Sequence, residues 1–270
     1  MKPAKFNPDE IHDKIRSFEF GRSFVFKEKT ASTNELAKRL AHEGTVLPCL
    51  ILAEEQTGGK GRMQRSWYSP PFTGIWMSVI VQPKITPVIA GHYNFFMSLV
   101  IASAIETYAD YTVELKWPND ILIHNKKVCG ILSEITSGSD NSSIVIAGSG
   151  INVNIEKTDF PEEFRESATS LSIESGTAIN RTELFIEIVS SLNSIHALWE
   201  LRGIEPIFHS WLQKCTTIGQ YIEIKSGNNY SRGVVQRINI DGSLVLQDKK
   251  GREHTIYAGD LHSGIREHFS

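Results

Sequence analysis

The sequence has little that would cross-link covalently, grip a metal or span a bilayer. Three cysteines, Cys49, Cys129 and Cys215, lie far apart in 270 residues and form no Cys-x-x-Cys. A disulfide scaffold and a cysteine-rich zinc site are both excluded on that count. Nine histidines are scattered, without a His-Glu-x-x-His pair, so zinc-protease chemistry is excluded as well. The longest apolar stretch, around Phe95 to Ile105, falls short of the roughly 20 residues a membrane helix needs. The opening MKPAKFNPDEIHDK carries no apolar core of a secretory signal. No Gly-x-Ser-x-Gly elbow and no Walker A loop occur. Charge of one sign is missing too: 28 basic residues face 31 acidic ones, a net charge of −3. Such a balance argues against coating nucleic acid through bulk charge. These absences together predict a soluble cytoplasmic protein.

What is present is an ordinary globular composition, 40% hydrophobic and 22% charged. The first twenty residues read as polar and irregular. A short strand is expected around Phe24–Phe26. Ser32 and Glu35 then have the spacing of a capping box, ahead of a helix that Gly44 closes. Val46 to Ala53 reads as a buried strand, residues 54–74 as a long Gly- and Pro-rich loop, and Ile75 onward as a strand again. Gly91 to Ala109 predicts a buried helix. A run of β-rich segments follows between Thr112 and Ile155, broken by turn-like HNKK and TSGSDNS. Arg181 to Leu201 and Pro206 to Lys214 read as helices. After Thr217 short alternating strands punctuated by Gly, Asn and Asp predict a small β-barrel. The boundary is expected at 217/218, giving units 1–217 and 218–270.

Three segments carry candidate chemistry. In the loop from Gln56 to Trp67, Gly59 and Gly61 let the backbone approach a ligand, while Lys60, Arg62 and Arg65 supply cations for an anion. A solvated basic loop is the plainer alternative. The loop misses Gly-x-Gly-x-x-Gly because Gln64 stands at the third glycine. In the second segment, Lys116-Trp117-Pro118-Asn119-Asp120, the Trp-Pro pair forces an extended turn. An amide and a carboxylate are presented there, and Lys127 returns alongside three residues before Gly130. Asn119 suits a base or sugar, Asp120 a Mg²⁺ ion or a ribose hydroxyl, and Lys127 a phosphate; a plain Asx-turn is the alternative. In the third, Ser32-Thr33-Asn34, hydroxyls and an amide sit at a helix start, as capping residues or as ligands for a polar small molecule.

Taken together, the three segments resemble the biotin protein ligases, the biotin–[acetyl-CoA-carboxylase] ligases. That family opens a helix with Ser-Thr-Asn, follows a Gln with Gly-Arg-Gly-Arg-x-Gly-Arg-x-Trp, and continues with Lys-Trp-Pro-Asn-Asp and a Lys ahead of Gly-Ile-Leu. This chain has STN at 32–34, GKGRMQRSW at 59–67, KWPND at 116–120 and KVCGIL at 127–132, and GSGINVN at 148–154 resembles a further family strand. Lys60, Met63 and Gln64 depart from the usual Arg, Arg and Gly. Lysine keeps the charge but loses the planar fork, and Gln64 restricts the backbone.

The resemblance implies an α+β fold, class II synthetase-like, with a mixed sheet, helices on one face and a C-terminal SH3-like barrel. It implies ATP and Mg²⁺ as cofactors and activation of biotin as biotinyl-5′-AMP. The biotin would then pass to a lysine of a biotin carboxyl carrier domain of acetyl-CoA carboxylase or a related carboxylase. Lys127, Arg62 and Lys60 are the expected catalytic residues. Biotin falls to Ser32, Thr33, Asn34, Gln56, Gly59, Lys60, Gly61, Arg62, Lys127 and Gly130. The nucleotide falls to Arg65, Trp67, Lys116, Asn119, Asp120 and Asn152, with Asp120 on Mg²⁺. The loop 56–72 is expected to act as a lid, and 169–180 to order over the adenine. Lipoate or octanoate ligation is the alternative chemistry, but the Arg-Arg-x-Ser-Gly-Gly-Gly stretch of those enzymes is not found. A biotin-binding regulatory protein is another alternative. A DNA-binding repressor needs a winged helix, and only 31 residues precede Ser32. No DNA and no membrane are the remaining expectations, with a homodimer as an open option.

Overall fold

The computed structural model describes residues 4–84, 89–108, 111–226, 229–257 and 259–262. The chain opens with a helix, α1 (Pro8–Ile15), where its polar composition suggests irregular chain. Its signals are short but complete. Asn7 caps it by accepting from the Glu10 N–H, Pro8 sits in the first turn, and Ile11 and Ile15 fall one turn apart on the buried side.

The strand β1 (Phe24–Thr30), the helix α2 (Thr33–His42) and the strand β2 (Cys49–Gln56) form the one parallel crossover of the main sheet. From β3 (Gly74–Val81) onward the strand-to-strand pairings among the described residues are antiparallel. The long helix α3 (Ala90–Tyr108) follows, then β4 (Glu114–Lys116), β5 (Asp120–Ile123), β6 (Lys126–Ser137) and β7 (Ser143–Asn152). The seven strands lie in the order β1-β2-β3-β7-β6-β5-β4. A one-turn helix α4 (Leu171–Ser175) ends at Gly176, whose φ of +72° closes it. Then come α5 (Arg181–Arg202) and α6 (Glu205–Lys214).

The two faces of the sheet are covered unequally. Alternate side chains such as Leu50, Leu52, Met77, Val79 and Cys129 enter the large core beneath α3, α5 and α6. The opposite set, Cys49, Ile51, Ile80, Ile144 and Ile146, packs on Leu36, Ala37, Leu40 and Ala41 of α2, with Val25 and Leu47 at its margin. The helix layer expected on one face is therefore joined by a single short helix on the other, which leaves part of that face uncovered by helix. A second sheet, β8 (Tyr221–Ser226), β9 (Asn229–Ile238), β10 (Leu244–Gln247), β11 (Glu253–Ile256) and β12 (Asp260–His262), runs in the order β11-β10-β9-β8-β12. It meets the first unit at Trp117, whose indole N–H donates to Gly242 O at 2.8 Å and whose backbone N–H donates to Thr217 Oγ1 at 2.9 Å.

Candidate active site

The open part of the α2 face forms a cavity of about 410 Å³. Every sequence-nominated site residue lines it except Gly59: Ser32, Thr33, Asn34, Gln56, Lys60, Gly61, Arg62, Arg65, Trp67, Lys116, Asn119, Asp120, Lys127, Gly130 and Asn152. Gly59 serves from behind. A Cβ there would come within 2.6 Å of Trp67 O and 2.8 Å of Ser69 Oγ. Also in the lining are Leu122, Asn125, Phe160, Phe164, Ser167, Ala168 and the second sheet's Gly259, which local motif reading did not nominate.

One end is a buried web of amides and hydroxyls. The Thr33 N–H donates to Gln56 Oε1 at 2.8 Å, and Gln56 Nε2 donates to Ser69 Oγ at 3.0 Å. Ser78 Oγ lies 2.7 Å from both the Thr33 hydroxyl and Asn34 Oδ1. Its single proton serves these two acceptors, and the Thr33 hydroxyl in turn donates to Gln56 Oε1 at 3.1 Å. Asn34 Nδ2 spends both hydrogens, on Leu132 O at 3.1 Å and Glu134 Oε2 at 2.8 Å. Asn34 thus braces this wall and has no donor left for a ligand. The capping box is not made: Ser32 forms no side-chain capping bond, and Glu35 turns to Lys38 and Lys60 instead.

The floor of the cavity is cleared by glycine. Gly130 of β6 pairs directly with Gly150 of β7, and Leu132 with Gly148. A Cβ on Gly150 would sit 2.1 Å from Trp67 Nε1, and one on Gly148 would sit 2.0 Å from Asn34 Oδ1. Side chains at these positions would occupy the space of Trp67 and Asn34, so the GSG of the sequence is a steric requirement. Beneath Trp67, the buried Phe160, Ile155, Ala53 and Trp76 form a small apolar cluster.

Lys127 reaches the cavity because of a bulge. Ile121 pairs with Cys129 but Leu122 pairs with Lys127, leaving Val128 as the extra residue. Val128 and Cys129 both enter the large core, and the side-chain alternation resets so that Lys127 shares the face of Gly130. Its backbone is held from the other side: the Lys127 N–H donates to Ser167 O and the Thr169 N–H to Lys127 O, each at 2.9 Å. Lys127 Nζ lies 2.6 Å from Asp120 Oδ1 and 5.1 Å from the centre of the Trp67 ring. Asn119 Nδ2 donates to Ile131 O at 2.6 Å, fixing the turn that carries Asp120. Asn152 is 3% exposed and donates to Thr169 O at 3.1 Å, so both asparagines hold strands and turns in place at the cavity wall.

Residues 59–67 fold back as a short hairpin. Trp67 N–H donates to Gly59 O at 2.8 Å and Gly61 N–H to Arg65 O at 2.7 Å. Its tip, Met63 and Gln64, takes φ of 53° and 62°, the left-handed region that costs non-glycine residues roughly 1–2 kcal/mol. The segment 167–175 is tied to the hairpin before Lys127 by Glu174, which accepts from Thr169 Oγ1 and pairs with His124 Nδ1, each at 2.5 Å. Burial works against the Glu174 carboxylate, but these partners win and hold it below its ordinary pKa.

The arrangement suits anion chemistry and excludes thiol chemistry. Burial pushes the Cys49, Cys129 and Cys215 thiols up, which leaves them protonated and inert. Cations at Lys60, Arg62, Arg65, Lys116 and Lys127 surround a cleft with Asp120 as its lone lining carboxylate among the described residues.

A profile of the biotin/lipoate A/B protein ligase family matches residues 26–152. The bifunctional ligase/repressor BirA of Bacillus spizizenii is 33% identical over 263 residues, covering 97% of this chain and 81% of that protein. The biotin–[acetyl-CoA-carboxylase] ligase of Mycobacterium tuberculosis is 30% identical over 240 residues, 86% of each chain. Among solved structures, the biotin protein ligase from Aquifex aeolicus in complex with biotin and ATP superposes with a TM-score of 0.75 at 24% identity, covering 89% of this chain and 98% of that one. The seven-stranded sheet, the glycine-cleared floor and these relatives agree: the chain belongs to the biotin protein ligases of the biotin/lipoate A/B protein ligase family.

Proposed function

We propose that the protein is an ATP-dependent biotin–protein ligase that makes biotinyl-5′-AMP and passes the biotin to a lysine of a biotin carboxyl carrier domain. One observation carries this reading: a single cleft joins the amide and hydroxyl web at Thr33 and Gln56 to the cations Lys60, Arg62 and Lys127 and to the turn at Asn119 and Asp120. A neutral polar ring head fits the web, and an anionic reaction centre fits the cations.

In the first step a biotin carboxylate oxygen bonds to the α-phosphorus of ATP, and the bond to pyrophosphate breaks. Both reactants are anions, so their approach needs fixed positive charge in a site where water is scarce. Lys127 supplies it at the bulge, where its ammonium lies over the Trp67 ring. Arg62 and Lys60 supply it from the hairpin. In the second step the acceptor amine attacks the carbonyl carbon, AMP leaves with the bonding pair, and the amine loses a proton. Lys127 and Arg62 then stabilise the departing phosphate.

No group of three potential metal ligands occurs among the described residues. The donor set therefore fits Mg²⁺ as an ion that arrives on the triphosphate, with Asp120 as its protein ligand. When bound, Mg²⁺ would screen the phosphate charge.

The test is transfer of labelled biotin to a purified carrier domain, with and without ATP and Mg²⁺, and with lipoate as competitor. ATP- and Mg²⁺-dependent labelling that excess lipoate leaves intact is expected. No labelling by folded protein, or labelling with lipoate instead, overturns the reading.

A further inference from the structure

The residue that the sequence placed in a capping box has other work. Glu35 lies in the first turn of α2, outside the cavity lining. Its Oε1 is 3.1 Å from Lys60 Nζ and 3.2 Å from Lys38 Nζ. Lys38 Nζ also lies 2.8 Å from Glu134 Oε1, and Glu134 Oε2 accepts from Asn34 Nδ2 at 2.8 Å. From Asn34 the contacts continue through Ser78 and Thr33 to Gln56 and then Ser69, whose hydroxyl donates to Trp67 O at 3.1 Å. The circuit is closed. It leaves the hairpin at Lys60, runs through the buried wall, and re-enters the hairpin at Trp67. Lys60 and Ser66 face each other across that hairpin, so both of its strands are tied to one wall.

We propose that Glu35 is a positioning residue that acts through Lys60, holding the 59–67 hairpin down over the cavity so that a bound ligand leaves slowly. The contact suits lysine in particular. A single ammonium on a flexible stem meets one carboxylate oxygen that a second lysine already shares, whereas a planar guanidinium would seek both oxygens. Lys38 and Lys60 both hold the Glu35 carboxylate below its ordinary pKa, the Lys60 hydrogen bond foremost, so the tether is charged at neutral pH. The pair is about half exposed, 46% at Lys60 and 43% at Glu35, so it is a modest tether and sensitive to salt.

The inference rests on the ligase reading only for the identity of the ligand, and its first test needs no ligand. Limited trypsin digestion of the full chain cuts after Arg62 and Arg65 when the hairpin lifts. Glu35→Gln and Lys60→Gln should each raise that cutting about two- to fivefold, the scale expected of a half-exposed ion pair, and the double variant should show no further gain. Raising salt should speed cutting of the wild type and leave Glu35→Gln unmoved. In the second test, enzyme charged with labelled biotin and MgATP is chased with unlabelled biotin. Glu35→Gln should release adenylate two- to fivefold faster at an unchanged melting temperature. A wild-type protein that forms no adenylate sinks the ligase reading alone, since the tryptic result stands by itself. Wild-type cutting rates in Glu35→Gln, or additive effects of the two variants, overturn the role of Glu35; charge reversal, Glu35→Lys with Lys60→Glu, should restore protection.

Discussion

The two ends of the cleft are built on opposite principles. At the Thr33–Gln56 end, polar groups are buried and bonded to one another: Thr33, Asn34 and Ser78 are each 5% exposed or less. At the hairpin end, Met63, Gln64 and Arg65 are exposed, and two tip residues sit in the left-handed region. A satisfied buried network is rigid and costly to disturb, while an exposed turn in a disfavoured conformation opens readily. The comparison teaches where affinity and where timing reside. On the proposed reading, recognition of a neutral ring falls to the fixed wall, and admission and retention of the anionic part fall to the hairpin.

The largest disturbance should come from beneath the fixed end. Glu54 of β2 and Arg181 at the start of α5 form a buried pair at 2.6 Å, with side chains 3% and 2% exposed. Glu54 also accepts from the N–H groups of Phe6 and Phe72, and Arg181 donates to Gly74 O and Ala4 O while its guanidinium stacks on Phe6. Four chain segments meet there, including the point where the loop rejoins β3. Arg181→Met strands a buried carboxylate and should cost about 3–5 kcal/mol in a urea melt. The double change Glu54→Leu with Arg181→Met should recover much of that loss. If the single variant melts like the wild type, the wall does not depend on this pair.

Lys127→Ala tests the junction between the two ends. It removes the one cation held by both the sheet and the 167–169 segment. Adenylate formation should fall at least about 100-fold, as for loss of a preorganised charge stabiliser, with stability nearly unchanged. A fall under tenfold would move the catalytic burden to the hairpin arginines. Gly148→Ala then probes the wall directly. Its methyl would lie 2.0 Å from Asn34 Oδ1, so Asn34 must give up hydrogen bonds worth about 1–3 kcal/mol. Biotin affinity should weaken by roughly 5- to 150-fold, the same energy read as a dissociation constant. An unchanged affinity by calorimetry would mean the wall is softer than its bonding suggests.

How much of this was legible beforehand differs between the ends in the same way. The motifs around Lys60, Lys116 and Lys127 and the Ser32-Thr33-Asn34 triplet, with the family resemblance they carry, nominate the site residues, and the structure gathers all of them but Gly59 in one cleft. The contacts that hold the wall were not legible. Glu54 and Arg181 are 127 positions apart, and Asn34 and Glu134 are 100 apart; no local period connects them. The bulge at Val128 is hidden because KVCGIL reads as continuous strand. The spacing of Ser32 and Glu35 suggested a capping box, yet Glu35 had stronger partners in lysines of α2 and the loop. Phe160 follows one short 3₁₀ turn and Phe164 ends the next, neither with a hydrophobic period, so nothing marks them as cavity lining. The helix α1 was missed although Asn7, Pro8 and the Ile11–Ile15 pair announce it, because eight residues of polar chain do not register as a periodic segment.

The smallest expected effect is at the hairpin tip, and it discriminates best between the two ends. Gln64 holds φ at 62°. Glycine takes that conformation without steric cost, so Gln64→Gly removes strain of roughly 1 kcal/mol, the low end of the range that suits an exposed turn. It also loosens the unfolded hairpin, which takes back about 0.4–1 kcal/mol. The net gain for the folded-down hairpin is then at most about half a kcal/mol, close to a twofold change in an equilibrium. Adenylate release in a chase should slow by up to about twofold while biotin affinity in the absence of ATP stays put. Gln64→Ala keeps both the Cβ and the strain, so it should match the wild type. If Gln64→Ala slows release as much as Gln64→Gly, the side chain's own contacts set the hairpin's lifetime. Biotin affinity that shifts with Gln64→Gly would show that the hairpin and the wall work as one body, and the division of labour between them would fall.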